Sequence, residues 1–135
     1  MNVIPSLEIQ FYQNLGKLFY AIAASDKIVR KAEVDTLINL VKSKWAPIDN
    51  FEDEFQADAA YQIETVFNYL NLEGEQNAES YFEEFKSFKK AHESLFTKTR
   101  KLQIWKTSNK IANSFSGKNK SEIIMLARLK MILEK

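Results

Sequence analysis

Asp26 and Glu33 stand seven residues apart in a segment that occurs twice. With Ile22 written over Ile111, Ala23 falls on Ala112, Ser25 on Ser114, Lys31 on Lys120, Glu33 on Glu122, Leu37 on Leu126 and Leu40 on Leu129. Each copy reads as the end of one helix, a tight loop, and the start of a second helix with a glutamate in its first turn. Asp26, Glu33 and Glu122 are therefore the candidate metal ligands. Carboxylate oxygens at such junctions suit a hard cation, Ca²⁺ or Mg²⁺. Asp26 and Glu33 have the separation of positions five and twelve of an EF-hand loop, and Val29 fits its apolar eighth position. The rest of that pattern fails: positions one and three are Ile22 and Ala24, and Lys27 takes the place of the glycine. What survives is a half-site that backbone carbonyls, water or the second copy must complete. Lys27 and Arg30 bring two positive charges into the same loop, so the expectation is weak or absent calcium binding that improves when Lys27 becomes Gly.

The competing role of these glutamates is structural. A carboxylate in the first turn complements the helix dipole. Asn119 and Glu122 have the spacing of a capping box, whereas Arg30 stands where a Ser or Thr would complete one for Glu33. The second copy also has Phe115 in place of Asp26.

Other chemistry finds less support. The chain has no cysteine, which excludes disulfides, thiolate catalysis and zinc–thiolate sites. Its one histidine, His92, falls on an apolar helix line, and the Glu-x-x-His pattern of di-iron bundles fails because Lys89 occupies the carboxylate position. No glycine-rich phosphate loop is present. A small carboxylate-based, metal-dependent enzyme is the alternative to a non-enzymatic binding module.

These residues must be positioned by helices. Apolar spacing and caps predict six of them in one all-α domain spanning residues 1–135, a bundle of six or seven helices built on a pseudo-two-fold repeat of helix–loop–helix units. Helix one runs from Leu7 to Ala24 with Ser6 as N-cap and the line Leu7, Phe11, Leu15, Leu18, Ile22. Helix two covers Lys31 to Lys44 and is ended by Trp45-Ala46-Pro47. Helix three lies between Asn50 and Leu72, capped by Asp49 with Glu52, with the line Phe55, Ala59, Ile63, Val66, Leu70. Gly74 marks the break before helix four, which starts after Asn77 and runs to Phe96 with Tyr81, Phe85, Phe88, His92 and Leu95 in line. Helix five spans Lys98 to Phe115, capped by Thr97. Ser108, the one polar member of its line, is placed to bond back to a carbonyl one turn earlier. Helix six spans Lys120 to Leu133, and its run Ile123 to Ala127, apolar nearly all round, predicts a central position.

The chain is 135 residues long, 45% hydrophobic, with three glycines and two prolines, which suits a helix-rich folded domain. Its longest apolar run, Leu18 to Ala24, is far short of the roughly 20 residues a membrane span needs. Met-Asn-Val-Ile-Pro-Ser carries no basic region followed by an apolar run, so a cytoplasmic location is expected. The net charge of +1 conceals a lopsided distribution. Residues 1–85 hold 6 Lys/Arg against 15 Asp/Glu, net −9, and residues 86–135 hold 13 against 3, net +10. Either the halves neutralise each other across helix contacts, or the acidic half serves a cation or a protein partner. The basic half interleaves Phe88, Phe96 and Trp105 with its lysines, which makes nucleic-acid binding a further alternative. The helix spacing, however, assigns most of those aromatics to the core.

The first motif resembles that of TerB-like proteins, the tellurite-resistance B family: an Ala-rich helix end, then Asp-Gly-x-Val-Ser-x-x-Glu, then another helix. The matching residues are Ala23, Ala24, Asp26, Val29 and Glu33, followed by Leu37 and Leu40. The segment from Ile111-Ala112 through Glu122 to Leu129 is similar to the family's C-terminal counterpart. Lys27 replaces the motif's glycine and Arg30 its cap serine. The resemblance implies an all-α bundle with an acidic surface and a bacterial role linked to metal or oxidative stress, exercised through cation or protein binding. Related domains fused to co-chaperone modules imply an interaction role.

Overall fold

The computed structural model describes residues 6–46, 59–73, 77–114 and 117–135. The described residues form an all-helical bundle with six α-helices: α1 (Leu7–Ala23), α2 (Lys31–Leu40), α3 (Gln62–Glu73), α4 (Ala78–Ala91), α5 (Lys98–Ala112) and α6 (Lys120–Leu133). The first part of the expected third helix, with Asp49, Glu52 and Phe55, together with Gly74 and Phe115, lies outside the described residues.

Local chemistry sets the helix starts. Ser6 Oγ accepts from Ile9 N at 3.2 Å, Asn77 Oδ1 from Ser80 N at 3.2 Å and Thr97 Oγ1 from Arg100 N at 3.2 Å, each relieving an amide that has no intrahelical partner. Two ends differ from the sequence expectation. α2 does not run unchanged to Lys44: Val41–Trp45 widens into a π-turn, with Ala46 N bonding to Val41 O. α4 stops at Ala91, because His92 leaves helical geometry (φ −135°, ψ 50°) and a 3-10 turn follows at Glu93–Leu95.

The centre of the bundle is α1, not α6. α1 packs against α3, α4, α5 and α6, and from Phe11 to Ala23 only Gln13 and Lys17 escape burial. α6 instead turns Ile123, Ile124 and Met131 outward, each more than half exposed, so its apolar residues all round do not make it central. The inner line of α4 is also rotated by one position from the expected one. Ala78, Phe82, Phe85 and Lys89 face inward, while Tyr81, Phe88 and His92 are half-buried. Lys89 is buried along its stem and reaches Glu93 Oε2 at 2.7 Å, the snorkelling that lets a lysine occupy an inner position.

Three contacts fix the approach of neighbours to α1 and α5. Gly16 lets α3 lie directly on α1: a Cβ there would stand 2.7 Å from Ile63 O and 2.8 Å from Val66 Cβ. Trp45, fully buried, places its ring 6.5 Å from that of Phe11 and 6.3 Å from that of Phe19, and its Nε1 donates to Thr107 Oγ1 at 3.0 Å, tying the end of α2 to α5. Arg100 of α5 grips Glu8 of α1 through two nitrogens (2.7 and 3.3 Å), donates to Leu95 O at 3.0 Å and lies over the Phe11 ring at 4.3 Å. Ser108 does not bond back as its position suggested: its Oγ is buried without a hydrogen-bond partner.

Candidate functional site: two helix starts joined through carboxyl groups

The two repeated junctions share a serine bond at the helix end and a glutamate that reaches back to the next helix's cap. Ser25 Oγ donates to Ile22 O at 2.9 Å, and Ser114 Oγ to Ile111 O at 2.7 Å. Arg30 and Asn119 are the N-caps of α2 and α6, and Glu33 and Glu122 reach back to them: Arg30 N donates to Glu33 Oε1 at 2.8 Å, and Asn119 N to Glu122 Oε1 at 3.0 Å. At α6 the box is complete, since Glu122 N donates to Asn119 Oδ1 at 2.9 Å. At α2 only the glutamate's half can form, because a guanidinium has no acceptor. Leu37, Leu126, Leu40 and Leu129 then bury the following turns.

The structure brings the three sequence-predicted residues, Asp26, Glu33 and Glu122, into one network. Asp26 Oδ1 accepts from Ile28 N at 3.1 Å and shapes the first loop. Asp26 Oδ2 accepts from Arg30 Nη1 at 2.9 Å and, across the bundle, from Asn119 Nδ2 at 2.7 Å. The same Arg30 nitrogen lies 4.0 Å from Glu33 Oε1. Asn119 thus caps its own helix with Oδ1 and holds the other junction with Nδ2. Asn119 is the partner that sequence reading does not assign to this site, since it reads there only as a cap; Arg30, whose charge is expected in this loop, pairs with Asp26. The Asn119–Asp26 bond spans 93 residues and leaves no periodic signal in the chain.

Glu33 and Glu122 are both buried, with 1% and 2% of their surfaces exposed. Burial pushes the Glu33 carboxyl up to about 7; the Arg30 amide opposes this, and the neighbouring Glu122 carboxyl adds to it. Burial raises Glu122 as well, against the pull of the Asn119 amide. The two carboxyls interact directly. With both ionised, Glu122 Oε2 is a buried oxygen that receives no hydrogen bond. A proton on Glu33 supplies one. Lys27, at the position of the motif's glycine, adopts a left-handed backbone conformation (φ 69°) that glycine occupies without steric cost.

The arrangement can hold a proton between two carboxyls, or a small cation in its place. No group of three or more His, Cys, Asp or Glu among the described residues has the spacing of a metal centre. Asp26 spends both oxygens on Ile28, Arg30 and Asn119, which separates it from the Glu33–Glu122 pair in role: it fastens the junctions, and the pair is left to titrate. His92 stands apart, its ring 4.7 Å from that of Phe88 at the end of α4.

Among the described residues of the acidic half, the glutamates of α4 are paired. Arg128 of α6 takes Glu79 at 2.7 Å and Glu83 at 3.2 Å on α4, and Lys17 takes Glu84 at 3.3 Å. No helix among the described residues is long and apolar enough to cross a membrane. No protein-family model, curated protein or solved structure matches the chain.

Proposed function

We propose that this chain is a non-enzymatic binding module of the TerB-like kind, in which the Glu33–Glu122 pair takes up a proton or, weakly, a divalent cation. The observation that carries this reading is the buried Glu122 Oε2 with no hydrogen-bond partner, in a carboxyl that interacts with the buried carboxyl of Glu33. Each glutamate already spends one oxygen on a helix cap, so the pair is built to hold something small and not to turn over a substrate. The two junctions are copies of one helix–loop–helix unit about an approximate two-fold axis, joined carboxyl to carboxyl. Ala23, Ala24, Asp26, Val29 and Glu33 support the TerB-like assignment, and with it a protein-binding role in a metal- or tellurite-linked stress response in the cytoplasm.

Calorimetric titration of the wild type, Lys27→Gly and Glu33→Gln with Ca²⁺ and Mg²⁺ tests the cation part. The expected wild-type affinity is at the weak end of protein calcium sites, a Kd of about 1 mM. It tightens in Lys27→Gly and disappears in Glu33→Gln. Tight wild-type binding that survives Glu33→Gln puts the site elsewhere. No binding by any variant leaves the pair as a proton site alone.

A further inference from the structure

The exposed side of the α5–α6 hairpin is not the polar surface expected at the edge of a bundle. Between the two helices runs a groove of about 310 Å³ floored by Leu102, Trp105 and Leu133. Lys98 and Lys101 stand on the α5 bank and Lys130 on the α6 bank. Among the described residues none of these three lysines is in an ion pair, in contrast to Lys17, Lys89, Arg100 and Arg128. Glu134 is the one acidic side chain on the rim. The apolar surface continues beyond the groove. Leu102 is 53% exposed, and on α6 Ile123 and Met131 (53% and 63%) lie two turns apart on the outward face, with Ile124 at 52% beside them.

We propose that this groove docks an amphipathic α-helix of a partner protein, one that carries leucine- or phenylalanine-type side chains on one face and aspartate or glutamate along its flanks. Charge complementarity selects the acidic flank: three lysines border an apolar floor, none of them paired with a carboxylate side chain among the described residues (Lys101 Nζ donates only to Lys135 O, at 3.4 Å), and each one's aliphatic stem extends that floor. Geometry selects a helix. The groove lies between two consecutive helices packed on each other, and among the described residues no strand offers an edge, so a third helix laid along it repeats the packing already used within the bundle. Apolar anchors spaced at i, i+3, i+4 and i+7 would follow the floor from Leu133 and Trp105 toward Leu102. This surface is separate from the Glu33–Glu122 pair, so the outcome here leaves the cation reading untouched.

The chain carries its own reporter. Trp45 is fully buried, while Trp105 is half-buried in the groove, so a change in tryptophan emission on binding comes from Trp105. The probes are a synthetic helix of about five turns with leucines on one face and glutamates elsewhere, the same helix with lysine for every glutamate, vesicles of phosphatidylglycerol, and a poly-dT oligonucleotide. The glutamate helix is expected to bind and shift the emission to shorter wavelength, and the lysine helix to bind at least about tenfold more weakly. Lys98→Glu/Lys101→Glu/Lys130→Glu reverses that order, and Leu102→Glu abolishes binding; all four positions are on the surface, so these variants keep the fold. Glu33→Gln binds the glutamate helix like the wild type. Equal affinity for the two helices overturns the proposal. So does binding of the vesicles or the oligonucleotide in preference to the glutamate helix, which would assign the face to a membrane surface or a nucleic acid.

Discussion

Glu33 and Glu122 each give one oxygen to a helix cap, and burial leaves Glu122 Oε2 without a hydrogen bond while the two carboxyls interact. That arrangement fixes the sign of a pH effect. The folded-state pKa of Glu33 lies near 7, above its ordinary value of 4.5, so folding takes up a proton between those limits. The contribution of this group to stability is complete below about pH 4.5 and is lost as pH rises through 7. Glu79 works in the opposite sense: its hydrogen bond to Arg128 holds it below the usual carboxylate range, and its contribution is lost as pH falls. The useful comparison is therefore wild type against Glu33→Gln. Glutamine keeps the acceptor for Arg30 N and brings an N–H₂ toward Glu122 Oε2. Urea unfolding should find Glu33→Gln more stable than wild type at pH 8, by on the order of 1–3 kcal/mol at roughly 1.4 kcal/mol per tenfold change in proton affinity. The gap should close toward pH 4.5. A gap independent of pH would mean that Glu33 is ionised throughout. The candidate residues were legible because the repeat put Glu33 and Glu122 in register and Asp26 in the intervening loop. What periodicity could not convey was the pairing itself. Asn119 reads as a local cap, and only the folded chain turns its second side-chain atom toward Asp26.

At the scale of the elements, the close approach of α1 and α3 depends on a position with no side chain. Gly16→Ala would force a Cβ against the backbone oxygen of Ile63 and the side chain of Val66. Thermal unfolding should find it destabilised by about 1–3 kcal/mol despite alanine's higher helix propensity. A neutral or stabilising result would show that α3 can slide on α1. The π-turn at the end of α2 is held by the Trp45–Thr107 bond. Trp45→Phe keeps most of the apolar ring but leaves Thr107 Oγ1 with only the longer bond from Gln103 Nε2 (3.4 Å), so a loss of about 1 kcal/mol is expected from chemical denaturation. Helix starts were readable from sequence because caps are local: Ser6, Thr97 and Asn119 act where their types placed them. Helix orientation was not. Tyr81, Phe85 and Phe88 make a good apolar line, yet only Phe85 of the three is buried, and Phe82 and the stem of Lys89 complete the inward face with it. The charged end of Lys89 disguises a side chain that is mostly aliphatic. The apolar richness of α6 suggested a central helix, whereas that richness supplies both a buried face and the exposed apolar surface beside the lysine-bordered groove.

Over the whole molecule, the acidic and basic halves of the chain meet as helix contacts, through Arg128 with Glu79 and Glu83 and Arg100 with Glu8. This is the neutralisation that the charge distribution allowed. The Arg128 pairs are exposed enough to be worth roughly 0–1 kcal/mol each, so they guide the halves together more than they hold them. The firmer closure is the joined pair of helix starts, which links the first junction of the chain to the last through Asp26–Asn119 and Glu33–Glu122. The account's central claim is that the two buried glutamates share a proton across this closure. NMR titration of the carboxyl ¹³C shifts measures it directly. Glu33 is expected to titrate near 7, with Glu122 responding to the same step, and Glu33→Gln should remove that step altogether. Independent titration of both carboxyls in the ordinary glutamate range, about 4.3, would contradict the claim and leave Glu33 and Glu122 as helix caps alone.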